Sequence, residues 1–224
     1  MVELYLDSAD IEEILSLHAK VKLSGVTTNP TILAKSHCGV NHLLSTLNTQ
    51  LESPSRFFVQ TISATVEGII AEAKKLHALP YNIVVKVPAT EAGLAAIKTL
   101  KKDNIPILAT AIYTTAQGLL AAHNGADYIA PYVNRIAQIG GDGIGVASKL
   151  QKLITNANLS CKILAASFKS VQQVVSVLEE GVKAITLPCD IMQAMYTHPA
   201  VNMAVEEFNE HWQSAFAEQL SYET

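Results

Sequence analysis

The chain has little charge of either sign. Only 16% of its 224 residues are charged, and 16 basic against 20 acidic side chains leave a net charge of −4. No basic stripe interrupts that balance, so nucleic acid and anionic membranes are poor partners. Cysteine is scarce too. Cys38, Cys161 and Cys189 are an odd number with no C-x-x-C pair, which argues against a disulfide framework and suits reduced packing residues. No apolar run approaches the ~18 residues of a membrane span. The opening MVELYLDSAD has acids at positions 3, 7 and 10, where a signal peptide needs a basic region and an apolar core. The expectation is a cytoplasmic protein with no membrane association.

Signatures of several enzyme classes are also missing. In GGDGIG, residues 140–145, no frame places glycines at i, i+2 and i+5, so the run is read as a turn leading into a helix. Neither a Walker pattern nor G-x-S-x-G occurs. The histidines stand at 18, 37, 42, 77, 123, 198 and 211, and only HCGVNH (37–42) brings two together. None lies at the end of a candidate strand, so neither a metal site nor a cofactor is expected.

What is present is alternation. Short apolar or β-branched runs occupy 2–7, 24–28, 56–61, 82–87, 106–111, 127–132, 162–167 and 183–187. Between them lie amphipathic segments such as 67–77 and 91–103, the latter with Leu94, Ile97 and Leu100 at helical spacing. No Pro/Ser/Gly-rich linker divides the chain. Strand and helix alternating throughout imply parallel strands with helical crossovers. Eight such units predict an α/β fold, a single (β/α)8 TIM barrel over 1–224, with an open doubly wound sheet as the rival. An extra C-terminal helix over 199–220 puts Val201, Val205, Phe208, Trp212, Phe216 and Leu220 on one face. That face covers either the barrel's own outside or a neighbouring subunit.

One lysine stands out. In NIVVKVP (82–88), Ile83, Val85 and Val87 are expected to face the helices, which turns Val84 and Lys86 inward. Lys86 then sits at the strand's C-terminal end, where this fold carries its chemistry. The other strands end in polar groups as well: Asp7, Thr27 with Asn29, Gln60, Thr110, Tyr132 and Ser167. A core that only needed filling would not collect hydrogen-bonding groups at one end. A desolvated lysine has a lowered pKa and can attack a carbonyl as the neutral amine, forming a Schiff base. The competing structural reading pairs Lys86 with Asp7 as an ion pair. Tyr132 can act as acid/base, directly or through a water held by Gln60 and Thr110. Asp7 and Asn29 can orient sugar hydroxyls, though both types also cap helices. Arg135 can clamp a phosphate with Ser167, or form a rim salt bridge.

These residues sit in a pattern that resembles the small transaldolase-like family, over nearly the whole chain. The motifs are LYLDSAD (4–10), GVTTNPTI (25–32), NIVVKVP (82–88), AGLAAIK (92–98), TAQGLL (115–120), APYVNRI (130–136), KILAASFKS (162–170) and ITLPCDI (185–191). The resemblance implies a barrel enzyme acting on sugar phosphates. By it, Lys86 is the Schiff-base lysine and Tyr132 the acid/base, with Gln60 and Thr110 holding a water. Asp7, Thr27 and Asn29 hold the dihydroxyacetone portion, while Arg135 and Ser167 hold the phosphate. The family's members form homo-oligomers, pentamers or decamers. Gln60 and Tyr132 match its aldolases, which release dihydroxyacetone from fructose 6-phosphate. Its transaldolases, which transfer that unit to an aldose phosphate, tend to carry Glu and Phe there. A barrel that binds sugar phosphate without catalysis is the third reading, and it has no need of Lys86.

Overall fold

A computed structural model describes residues 2–52 and 55–224. Eight parallel strands pair in sequence order: β1 (Glu3–Asp7), β2 (Gly25–Thr27), β3 (Arg56–Gln60) and β4 (Ile83–Pro88), then β5 (Ile107–Ile112), β6 (Tyr128–Pro131), β7 (Lys162–Ala165) and β8 (Ala184–Leu187). The last strand closes on the first, with Leu4 beside Ile185 and Leu6 beside Leu187. The fold is a (β/α)8 barrel, and closure rules out the open sheet. Connections run through α1 (Ile11–His18), α2 (Pro30–Ser36), α3 (Val40–Gln50), α4 (Val66–His77), α5 (Glu91–Leu100) and α6 (Thr115–His123). After them come α7 (Val133–Gln138), α8 (Gly143–Asn156), α9 (Val171–Glu179), α10 (Cys189–Ala194) and α11 (Pro199–Phe216). None of these helices is long and apolar enough to cross a membrane.

Local chemistry starts most of the helices. Asp10, Thr65, Thr90, Thr114, Asp142 and Ser170 each accept a first-turn N–H, and Thr114 forms a capping box with Gln117. The GGDGIG run is indeed a turn into a helix. Gly140 has φ +82, Asp142 caps α8, and a Cβ on Gly143 would lie 2.1 Å from the carbonyl oxygen of Val133. Only glycine lets α8 approach α7 so closely.

Side chains alternate as the barrel requires. Ile83, Val85 and Val87 join the apolar layer under the helices, whereas Val84 joins the lumen with Tyr5, Phe58, Leu108 and Leu164. Phe58 meets Tyr5 and Tyr128 edge-on, with centroids at 5.1 and 5.4 Å. This packing fills the lower lumen. Beneath it, Glu3 gathers four donors at the N-terminal end of the strands. Its carboxylate accepts from Lys162 Nζ (2.6 Å), Tyr5 Oη (2.7 Å), Tyr128 Oη (3.2 Å) and Arg56 Nη1 (3.4 Å). Arg56 also donates to the hydroxyls of Tyr5 and Tyr128. The lower end is thus packed and paired.

The three cysteines are free, and burial pushes the thiols of Cys161 and Cys189 up to about 12. His37 of the HCGVNH run takes a left-handed conformation (φ 50) that ends α2, and His42 lies in α3.

Two compact units divide the chain, Met1–Met192 with the barrel and Gln193–Thr224. In the second, α11 begins with Pro199 in its first turn and His198 accepting from the Ala200 N–H. It ends at Phe216, four residues short of the expected 220, because Ala217 breaks out at φ 55. Trp212 packs against Phe216 at 4.6 Å and donates to the Gln219 carbonyl. On its apolar face Phe208 is 66% exposed and Val201 55%.

Glu3 provides a test of the lower closure. Burial alone would raise its pKa, but hydrogen bonds from Lys162 and Tyr5 and the charges of Lys162 and Arg56 outweigh this and hold it below the ordinary 4.5. A lowered carboxylate pKa adds stability above the unfolded value and loses it as pH falls through the folded one. Glu3→Gln is therefore expected to cost ~1–3 kcal/mol at neutral pH, with the difference shrinking below about pH 4.5. Thermal unfolding of both proteins from pH 7 to pH 3 checks this. A difference that stays constant with pH contradicts it.

Candidate active site

Alternation within the strands carries seven polar side chains to one end of the lumen. Above the packed layer of Phe58, Val84 and Leu108, the next inward positions are Asp7, Thr27, Gln60, Lys86, Thr110, Tyr132 and Thr186. All but Gln60 line one cavity of ≈ 180 Å³, which Asn29, Arg135 and Ser167 also line. Gln60 stands level with Lys86 in the β3–β4 register but lines a separate, larger cavity of ≈ 880 Å³ with Pro30, Ile62 and Pro88. Eight of the nine residues expected from the sequence therefore share a space, and the ninth is next door.

Lys86 is only 5% exposed. Among the described residues its Nζ has one partner, the carbonyl oxygen of Thr28 at 2.5 Å. The ion pair with Asp7 does not form: the four pairs found among the described residues do not include Lys86. Burial lowers its pKa from the ordinary lysine value; the Asp7 charge opposes this, and the Arg135 charge adds to it. A carbonyl acceptor satisfies one N–H of a neutral amine and leaves its lone pair free.

Asp7 is engaged elsewhere. Thr27 Oγ1 donates to Asp7 Oδ1 at 2.7 Å, so the 2.7 Å contact between the Thr27 and Thr186 hydroxyls must have Thr186 as donor. This relay fixes one oxygen of Asp7 and leaves the other for a ligand. Asn29 caps α2 through Oδ1, which accepts from the Ile32 N–H at 3.0 Å. Capping and cavity lining coexist in that residue, because the cap uses the oxygen and frees the amide nitrogen.

Across the cavity, the hydroxyls of Tyr132 and Thr110 lie 2.9 Å apart. Burial raises the Tyr132 pKa, while the Thr110 hydrogen bond and the Arg135 charge pull part of the way back. The phenol therefore stays protonated and can donate. Tyr113 meets its ring edge-on at 5.6 Å, and the Arg135 guanidinium lies 4.9 Å from its centroid. A bulge aims Thr110 at this point. The β5–β6 register shifts between Ala109 and Ile112, and Ala111 sits at φ 58. Ser167, at φ 62, makes a second such break after β7. Left-handed backbone costs an ordinary residue roughly 1–2 kcal/mol.

Sequence reasoning missed Thr186, Asn134, Gln138 and Lys169, all of which line the cavity. Thr186 is the eighth strand's inward polar residue, and the alternation that found the other six could have found it. Asn134 and Gln138 lie on α7 and Lys169 on a loop, where no strand periodicity applies.

A family model described as Transaldolase/Fructose-6-phosphate aldolase matches residues 4–224. Among solved structures, a flavocytochrome B2 mutant is similar at 14% identity and TM-score 0.60, covering 96% of this chain and 64% of that one. Inosine 5' monophosphate dehydrogenase from Legionella pneumophila is similar at 14% identity and TM-score 0.57, covering 84% and 58%. At such identity these two likenesses show the barrel fold alone. The chain spans about three fifths of the length of each.

The charges around Lys86 predict its titration. NMR of lysine-labelled protein, assigned with Lys86→Met, is expected to show Lys86 losing its proton at lower pH than the exposed lysines. Arg135→Gln moves that midpoint up and Asp7→Asn moves it down. A midpoint at or above the ordinary 10.5 contradicts the assignment.

Proposed function

The chain belongs to the transaldolase/fructose-6-phosphate aldolase family, and on that premise we propose that it is a Schiff-base aldolase. Its reaction is the reversible cleavage of fructose 6-phosphate to dihydroxyacetone and glyceraldehyde 3-phosphate. The observation that carries this reading is Lys86, buried, with a carbonyl as its only hydrogen-bond partner among the described residues, and facing a cavity beside a protonated tyrosine.

In the proposed reaction the Lys86 amine attacks C2 of the open-chain ketose. Tyr132 donates a proton as water leaves, directly or through a water held with Thr110. The resulting iminium accepts the electron pair of the C3–C4 bond as the C4 hydroxyl gives up its proton. Glyceraldehyde 3-phosphate departs, leaving an enamine on Lys86. Protonation at C3 and hydrolysis release dihydroxyacetone and restore the amine. Asp7, Thr27 and Asn29 hold the hydroxyls of the three-carbon unit, and Arg135 with Ser167 holds the phosphate. No cofactor enters this scheme.

Transaldolase activity is the runner-up. It would keep the enamine intact until an aldose phosphate acceptor arrived. The Tyr132 hydroxyl, 2.9 Å from Thr110, supports the aldolase, because it supplies a proton donor that ends the enamine's life without an acceptor. We further propose that the protein works as a homo-oligomer, a pentamer or decamer. The apolar face of α11, with Val201, Phe208 and Phe216 exposed, supports that assembly.

Glyceraldehyde 3-phosphate is expected from fructose 6-phosphate alone. Lys86→Ala should abolish turnover and borohydride trapping of dihydroxyacetone while the protein still folds. Tyr132→Phe should lose ~10²–10⁴-fold in acceptor-free release yet retain transfer to erythrose 4-phosphate. Coupled assays with and without erythrose 4-phosphate measure both. Release only when acceptor is present would make the protein a transaldolase. Binding of sugar phosphate without any cleavage would make it neither.

A further inference from the structure

A second feature of the cavity concerns how an anion is recognised on the β6–β7 side. Asn134, at the start of α7, lines the cavity beside Arg135, and its backbone N–H is tied to the Ser167 carbonyl at 2.7 Å. Its side chain meets Gln173, on α9, which does not line the cavity: Gln173 Nε2 and Asn134 Oδ1 are 3.1 Å apart. The other end of the Gln173 amide lies 2.9 Å from the backbone nitrogen of Lys169. A backbone N–H can only donate, so the atom facing Lys169 is the Gln173 oxygen. The atom facing Asn134 is then the Gln173 NH2 group, and the Asn134 atom receiving it is the oxygen. One fixed donor in the main chain thereby orients two amides in series.

The consequence appears in the cavity. With Oδ1 occupied, Asn134 offers Nδ2, which has no protein partner among the described residues and is not a buried orphan. The same cavity is also lined by Arg135, Lys169 and Ser167. Asp7, on β1, is the only acid among the cavity's lining residues. A cavity in which donors and cations outnumber the single carboxylate favours an anion.

Building on the proposed function, we infer that Asn134 binds the substrate's phosphate as a neutral donor and that Gln173 is the positioning residue that keeps this donor turned inward. Reversing the Gln173 amide would turn Asn134 as well, presenting a carbonyl oxygen to the phosphate. Discrimination between phosphorylated and plain sugars then depends on a residue outside the cavity.

A double-mutant cycle tests this, with inorganic phosphate titrated calorimetrically and KM measured for fructose 6-phosphate. Gln173→Glu keeps the shape but can only accept from both neighbours, so Asn134 must turn its nitrogen toward it. The expected result is a tenfold or greater loss of phosphate affinity, a matching rise in KM, and kcat within about twofold. Condensation of dihydroxyacetone with unphosphorylated glyceraldehyde should keep its KM. Asn134→Ala should weaken phosphate binding similarly, and adding Gln173→Glu to it should change nothing further. Additive effects would mean that the new carboxylate repels phosphate directly, and would overturn the relay. Equal KM changes for phosphorylated and plain substrates, or no change in either, would overturn it too. If Gln173→Glu does not fold, Gln173→Met takes its place in the same cycle. Phosphate binding is read without turnover. Failure to cleave sugar therefore overturns the proposed reaction alone, and unchanged phosphate affinity in an active Asn134→Ala enzyme overturns this inference alone.

Discussion

Taking one ammonium group out of water is the act on which the rest of this site depends. Lys86 stands directly above a lumen filled by Phe58, Val84 and Leu108, so it cannot reach solvent from below. Above it, the only acid of the cavity is held by the Thr186–Thr27 relay and lies outside ion-pair range. Desolvating an unpaired charge costs several kcal/mol, and a lysine can escape that cost by giving up its proton. The neutral amine is thus a product of packing as much as of any one neighbour.

The two ends of the barrel handle charge in opposite ways. At the lower end Glu3 takes four donors and each cation near it has a partner, so charge there is spent on cohesion. At the upper end the basic side chains outnumber the acids: Arg135, Lys169 and the desolvated Lys86 line a cavity with Asp7 alone. The same strands build both ends. Moving two residues along β4, from Val84 to Lys86, crosses from apolar filling to the reactive amine.

Most of this was legible from periodicity. The eight strand segments expected from the sequence match β1–β8 to within two residues at every end, because each is a continuous apolar run bounded by polar or turn residues. The inward set along β4 followed from period two alone. What stayed hidden depends on tertiary approach. Ala111 carries no signal for a bulge, since alanine has no preference for positive φ; neighbouring packing imposes it. The place of Gln60 in a separate cavity from Lys86 was equally hidden, because adjacency in register does not say where a side chain's free space lies. Asn134 and Gln173 meet only because α7 and α9 are brought together, 39 positions apart in the chain.

The closed lower end also sets an order of traffic. With Tyr5, Phe58 and Tyr128 packed edge to edge over the Glu3 network, the lumen has a floor and its ligands share one mouth. Whatever lies deepest, against Lys86, can leave only after whatever lies nearer the rim. Under the proposed reaction the phosphorylated aldehyde is the outer fragment and the three-carbon ketone the inner one. Departure is then last in, first out: the queue is written into the floor of the barrel, far from any reacting atom.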